Sequence, residues 1–238
     1  MSDFVKLEHM LGFKFNNPEL YREAMTHTSF ASEHNLSYDN QRLEFLGDAV
    51  VQITVTDYLY KRYPSLQEGD LSKIRSAMAD QNALALFART ISLGSFLLLG
   101  RGEIELHGED RDSTICDAFE SLIAAIYLDQ GLDTARKFFL DIMEKNYPDP
   151  KSTLTEINPK GLLQEYTQER GMSVPAYRVV NVSGPDHEPS FEVEVLIQNK
   201  VVAKASAGSR RLAEKEAAKI VLQQIHAGEI TLGKENHE

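Results

Sequence analysis

The chain has 238 residues, 42% hydrophobic and 26% charged, a balance that suits one or two folded domains and excludes a wholly disordered chain. Lys+Arg 25 against Asp+Glu 36 leaves a formal charge of −11, which taken alone argues against a nucleic-acid partner. A single cysteine, Cys116, excludes an internal disulfide and a multi-cysteine metal site. Met1 to Leu11 carries acids and lacks a signal-like apolar core, and no apolar run reaches the roughly 18 residues of a membrane span, so a soluble cytoplasmic protein is expected.

In chain order, helical apolar spacing predicts helices over Leu43 to Tyr63, ending before Pro64, over Leu71 to Thr90, and over Thr114 to Leu128, ending before Gly131. The first half therefore reads as all helical. Between Tyr147 and Pro159 the segment YPDPKSTLTEINP has no apolar period and reads as a linker. Asn158 then stands as an N-cap with Pro159 at the first helical position, and Gly171 closes a helix over Lys160 to Arg170. Ala176 to Val182, Phe191 to Gln198 and Val201 to Ser206 alternate as strands of an antiparallel meander, the last two joined by a turn at Asn199-Lys200. Ser209 caps a last amphipathic helix through Ile225, and the polar residues beyond it are expected to fray.

Charge divides unevenly along this plan. Residues 1–150 hold 14 Lys+Arg and 24 Asp+Glu, a net of −10, whereas residues 151–238 hold 11 and 12, a net of −1. Two acidic pairs of the first half lie among apolar residues: Glu44 and Asp48, four apart on one helical face, and Asp117 and Glu120, three apart. Leu43, Phe45, Leu46, Ala49, Val50 and Ile53 are expected to leave little of the first helix to solvent. A buried carboxylate costs several kcal/mol unless it is paired, protonated or metal-bound. Few cations stand nearby in sequence, only Arg42 and Arg111. If the two helices pack face to face, four oxygen donors converge in a set suited to a hard divalent ion such as Mg²⁺. Gly47 costs about 0.5–1 kcal/mol in a helix, a cost that makes sense if a backbone or substrate must approach there. From spacing alone the alternative stays open that these are ordinary acids on partly solvated faces.

The segment RLEFLGDAV (Arg42 to Val50) resembles the signature of the ribonuclease III family. AMTHTS (Ala24 to Ser29), EGDLSKIRS (Glu68 to Ser76) and DAFESLIAAIYLDQG (Asp117 to Gly131) stand in that family's order, and the resemblance covers nearly the whole chain. It implies an all-α endonuclease domain at 1–147, a linker at 148–157, an α+β double-stranded-RNA-binding domain of order α-β-β-β-α at 158–227, and a disordered tail at 228–238. It further implies that Glu44, Asp48, Asp117 and Glu120 bind Mg²⁺, with Mn²⁺ as a substitute, and that Asp48 and Glu120 matter most for activity. A metal there would lower the pKa of a bound water for in-line attack on a phosphodiester and neutralise phosphate charge.

Other positions follow from the same resemblance. Glu68 matches an acid of the cleavage valley that touches RNA, although it also reads as a plain loop acid. Gln41 departs from the family's usual Glu, keeping hydrogen-bonding capacity towards a ribose hydroxyl without the charge. Ala124 stands where the family commonly has Gly, a change read as packing. Phe45 matches an aromatic that inserts into a partner subunit, implying a homodimer in which each subunit cuts one strand and leaves 5′-phosphate and 3′-hydroxyl ends with a short 3′ overhang.

In the second half NPKGLLQEY (Asn158 to Tyr166), GPDHEPSF (Gly184 to Phe191) and AGSRRLAEKEAAKIVL (Ala207 to Leu222) resemble the three RNA-contacting regions of a double-stranded-RNA-binding domain. By that resemblance Gln164 and Glu165 address one minor groove of duplex RNA and His187 the next. Arg210, Arg211 and Lys215 sit at a helix start suited to phosphate, with Lys160 as an additional contact. Without the resemblance His187 reads as a solvated turn residue, and Arg210 and Arg211 as a helix face pairing with Glu214 and Glu216. His27, near Thr26 and Ser29, reads as a structural hydrogen-bonded residue, and Cys116 as a small core residue.

The leading expectation is a Mg²⁺-dependent endoribonuclease of double-stranded RNA that processes ribosomal RNA precursors, structured messages and transfer RNA. The rivals are a binding-only duplex-RNA scaffold, which has no need of four acids in apolar helices, and a phosphohydrolase of small nucleotides, which leaves the second half without a task.

Overall fold

The computed structural model describes residues 3–185 and 187–230. The chain divides into two compact units, residues 1–150 and 151–238. The first holds nine helices among its described residues: α1 Asp3–Leu11, α2 Pro18–Met25, α3 Thr28–His34, α4 Gln41–Arg62, α5 Glu68–Met78, α6 Gln81–Thr90, α7 Arg101–Glu105, α8 Asp112–Gln130 and α9 Leu132–Asn146. Among its described residues the one β contact is a parallel bridge between Thr26 and Leu98. No helix of the described residues is long and apolar enough to cross a membrane.

The stretch expected as one helix over Leu71 to Thr90 is two, α5 and α6. Asp80 breaks it, because its extended backbone and its side-chain acceptance from the Ala83 N–H at 2.8 Å restart the chain as an N-cap. The central element is α8, apolar on nearly every face, with Ile115, Phe119, Leu122, Ile123, Ala124 and Ile126 buried and α2, α4, α6 and α9 packed around it. Phe87, Phe119 and Phe139 form its aromatic core, their ring centroids 5.8 to 6.2 Å apart.

The second unit comprises α10 Thr153–Ile157, α11 Pro159–Glu169, β1 Ala176–Ser183, β2 Ser190–Ile197, β3 Lys200–Ala207 and α12 Arg210–His226. Where a linker without structure was expected, Thr153–Ile157 is helical and buries Leu154. Asn158 holds the N-cap position of α11 but makes no side-chain capping bond, so Pro159 carries the helix start. Gly171, at φ +65, ends it in the left-handed conformation, as expected. The sheet is an antiparallel meander in the order β1-β2-β3. Its second turn falls at Gln198-Asn199, one residue earlier than expected: both have positive φ, 50 and 62, as a two-residue hairpin loop requires, and Lys200 already pairs with Ile197. Ser209 caps α12 by accepting from the Leu212 N–H at 3.3 Å. Leu163, Met172, Val195, Ile197, Ala217, Ala218, Val221 and Leu222 make the core between the sheet and α11 and α12. Of the tail expected from residue 228, the part from 231 lies outside the described residues.

Candidate active site

The two acidic pairs meet where α4 packs on α8. Gly47 is buried, and a Cβ there would fall inside the van der Waals shell of the Glu120 carbonyl oxygen. Only a glycine lets the two backbones approach this closely, which is what its place within an apolar helix suggested. The start of α4 is pinned to the same crossing. Ser121 Oγ donates to the Asn40 carbonyl at 3.0 Å, and that carbonyl also accepts the Glu44 N–H at 2.8 Å. Asn40 in turn donates its N–H to the Thr26 carbonyl at 2.8 Å.

Glu44, Asp117 and Glu120 are half-buried, while Asp48 is exposed and accepts from Gln52 Nε2 at 3.3 Å. Burial pushes the Glu120 carboxyl up to about 8, and the charges of Asp48, Asp117 and Glu44 add to that. Glu44 is raised by burial and by Asp117 and Asp39. Asp117 is raised by burial, with His27 and a backbone hydrogen bond opposing. Among the described residues no Lys or Arg forms an ion pair with any of the four acids. Arg111, the cation nearest Asp117 in sequence, instead pairs with Glu103 at 2.8 Å. Glu44, Asp48 and Asp117 all act on Glu120, and with no Lys or Arg to balance them these acids are oxygen donors of the kind that suits a hard divalent ion.

Two side chains beside the cluster escaped the sequence reading of the site. Cys116 is buried, as expected, but its Sγ and the carboxylate oxygens of Asp117 and Glu120 lie within 4.8 Å of one another. Burial and the surrounding acids push its thiol well above the usual range. His27 does have the structural role expected of it: its Nδ1 caps α3 by accepting the Ser29 N–H at 3.2 Å and lies 2.8 Å from Ser29 Oγ. It also acts electrostatically on Asp117, on another helix. The convergence of these groups arises from helix crossing, so spacing along one helix held no signal for it.

One expectation about this region is corrected. The apolar neighbours of Glu44 and Asp48 do not close their helix to solvent: Phe45 is 83% exposed, Ile53 54%, and Ala49 is exposed as well. One face of α4 is therefore apolar and uncovered. Beside it Thr56, Leu59, Tyr60, Leu66, Glu68, Leu71, Ser72 and Arg75 line a hollow of about 450 Å³ between α4 and α5. Glu68 belongs to this hollow and stands apart from the four acids. Its Oε1 accepts from Ser72 Oγ at 2.8 Å. Gln41 is exposed at the first position of α4, three residues before Glu44, and its N–H donates to Asp39 Oδ1 at 3.1 Å.

In the second unit Gln164 and Glu165 are exposed on α11, His187 is exposed in the β1–β2 loop, and Arg211 is exposed and Lys215 half-buried on α12. Lys160 and Arg210 are not simply solvated cations. Both pair with Glu214, at 2.5 and 2.8 Å, so the intrahelical pairing considered for Arg210 is present.

A helical unit with four clustered acids, followed by an α-β-β-β-α unit with exposed polar and basic residues at three places, defines a nuclease joined to a duplex-RNA-binding domain. The comparisons agree. Residues 17–146 match the Ribonuclease-III-like family and residues 159–225 the double-stranded RNA binding motif. Ribonuclease 3 of Sulfurovum sp. (strain NBC37-1) is 39% identical over 225 residues, covering 94% of this chain and 99% of its own. Ribonuclease 3 of Aliarcobacter butzleri (strain RM4018) is 40% identical with the same coverage. A solved nuclease domain of ribonuclease III from Campylobacter jejuni, 39% identical, superposes with a TM-score of 0.58 over 61% of this chain and 99% of that one. The chain belongs to the ribonuclease III family, and is an endoribonuclease specific for double-stranded RNA.

Proposed function

We propose that this chain is a Mg²⁺-dependent homodimeric ribonuclease III that hydrolyses both strands of an RNA duplex, leaving 5′-phosphate and 3′-hydroxyl ends with short 3′ overhangs. Its substrates are ribosomal RNA precursors, structured messages and transfer-RNA precursors, in the cytoplasm. The observation that carries the reading is the Gly47 crossing, which brings Glu44, Asp48, Asp117 and Glu120 together without a balancing Lys or Arg.

The four carboxylates would hold Mg²⁺, and Mn²⁺ in its place, the ion supplying Lewis acidity at the scissile phosphate and lowering the pKa of nearby water. The chain does the rest. Asp48 and Glu120 orient the attacking water and accept hydrogen bonds from it. Glu120, its carboxyl pushed up to about 8 by burial and neighbouring acids, would have to lose its proton to hold the ion, so cation affinity would rise with pH up to that value. Asn40, held by Thr26 and Ser121, fixes the start of α4 and with it Glu44. Gln41 and Glu68 contact the RNA strand.

Dimerisation uses the uncovered face of α4: Phe45 of one copy enters the apolar hollow beside Tyr60 and Leu71 of the other. The second unit reads duplex shape, with Gln164, Glu165 and His187 towards minor grooves and Lys160, Arg210, Arg211 and Lys215 towards phosphates.

The deciding experiment incubates the protein with a long RNA duplex in Mg²⁺ and again in EDTA, and maps the ends produced. Cleavage in Mg²⁺ alone, with the stated ends, is expected. Cutting that ignores EDTA, or a Glu120→Gln variant as fast as the parent, sinks the metal mechanism.

A further inference from the structure

Within the RNA-binding unit one buried acid, Glu214, ties together two helices. Glu214 lies in the second turn of α12 and is 8% exposed. Its Oε1 accepts from Arg210 Nε, one turn earlier, at 2.8 Å, and its Oε2 accepts from Lys160 Nζ on α11 at 2.5 Å. Both carboxylate oxygens are thus engaged by cations from two different helices. The Lys160 ammonium is held from a third side, 4.5 Å from the centroid of the Tyr177 ring at the start of β1. Burial alone would raise the Glu214 carboxyl, but Lys160 and Arg210 outweigh it and hold the group below its usual range.

Both cations nevertheless face outward in part, with side chains 41% and 64% exposed. Arg210 uses Nε on Glu214, and its two terminal nitrogens carry further donors suited to other acceptors. Lys160 has three donors and uses one on the carboxylate. The arrangement aims two flexible cations without consuming them.

We propose that Glu214 is a positioning residue for duplex-RNA binding, holding Lys160 of α11 and Arg210 of α12 in fixed register so that they engage the phosphates of one duplex together. The inference rests on the reading of these two cations as RNA contacts. Net charge predicts the opposite sign: removing a carboxylate beside two phosphate-binding cations should tighten RNA binding. Positioning wins because long Lys and Arg side chains otherwise lose their rotamer freedom on binding, and because Glu214 is buried with its oxygens turned to the cations.

The test measures binding of the full chain, in EDTA, to an RNA duplex longer than the roughly 16 base pairs such a domain spans. Glu214→Gln and Glu214→Ala are each expected to weaken binding on the order of tenfold, with circular dichroism and melting checked for both. In cleavage assays the loss appears in KM, with kcat at saturating RNA unchanged. In a Lys160→Met/Arg210→Met background, Glu214→Gln changes binding no further, whereas a purely structural role for Glu214 would add its loss again. Binding by folded Glu214→Gln as tight as the parent, or tighter, overturns the proposal, as does an additive loss in the double-variant background. A parent chain that binds no duplex overturns the underlying RNA-contact reading, and Lys160→Met/Arg210→Met binding like the parent shows that these two cations are not contacts. Those two failures are told apart from failure of the Glu214 role itself.

Discussion

The clustered acids of the nuclease unit and the buried acids of the RNA-binding unit are held in opposite ways. In the nuclease unit Glu44, Asp117 and Glu120 are half-buried with no Lys or Arg against them; burial raises all three, and neighbouring acids add to the rise of Glu44 and Glu120. In the RNA-binding unit Glu194 and Glu214 are more deeply buried, yet each is clasped by two cations and lowered. Glu194 lies mid-sheet, paired in register with Arg178 on β1 and Lys204 on β3, at 2.5 and 2.7 Å. A buried acid that already has its counter-charge is scaffolding, whereas one that lacks it is waiting for a ligand to bring that charge.

The sharpest way to break this contrast is Glu120→Gln. We expect duplex cleavage to fall by at least about 10²–10³-fold. The same variant should be more stable than the parent in EDTA at pH 8, by a few kcal/mol at most, because it removes a charge the fold disfavours. A lower melting temperature for that variant would refute the unbalanced-charge reading. Gly47→Ala comes next. With its Cβ against the Glu120 carbonyl, the helices must separate, costing about 1–3 kcal/mol of stability and a larger share of cleavage than the melting shift alone explains. Differential scanning calorimetry alongside cleavage rates separates the two.

The pH dependence should then run in opposite directions. Glu120 titrates at about 8 when folded against an ordinary 4.5, so the stability it contributes is full below 4.5 and is lost as pH rises to 8. Glu194 is lowered by Lys204 and Arg178, and Glu214 by Lys160 and Arg210 against its burial; their contribution is present above 4.5 and is lost as pH falls below it. Melting in EDTA between pH 4 and pH 8 should therefore strengthen the nuclease transition and weaken the RNA-binding transition as the pH is lowered. Mg²⁺ should protect the nuclease transition more at the alkaline end. The smallest effect is expected from Gln41→Glu, which should alter cleavage-site preference on a mapped duplex without reducing the rate more than a fewfold.

Much of this was legible in the sequence for particular reasons. The two longest helices of the first half, α4 and α8, announce themselves by apolar spacing, and the meander by alternation and by Gly171 and Ser209 at the helix ends. Gly47 signalled the close crossing, because a glycine inside an apolar helix is costly unless something must approach it. The break at Asp80 was hidden because apolar residues run on through both helices and the cap is a single side-chain bond. The exposure of Phe45, Ala49 and Ile53 was hidden because an apolar residue on a helix looks the same whether its own chain or another covers it.

What the sequence determined by itself is which residues can carry charge, that a helical half precedes an α-β-β-β-α half, and that four acids sit among apolar residues. Even the net charge of −11, which seemed to exclude a nucleic-acid partner, belongs almost wholly to the half that holds those acids. Which acids stand together, which cation each one has, and that Lys160 and Arg210 share Glu214 were decided by the tertiary structure alone. Coulomb interactions depend on distance and burial in space, and neither is a function of separation along the chain.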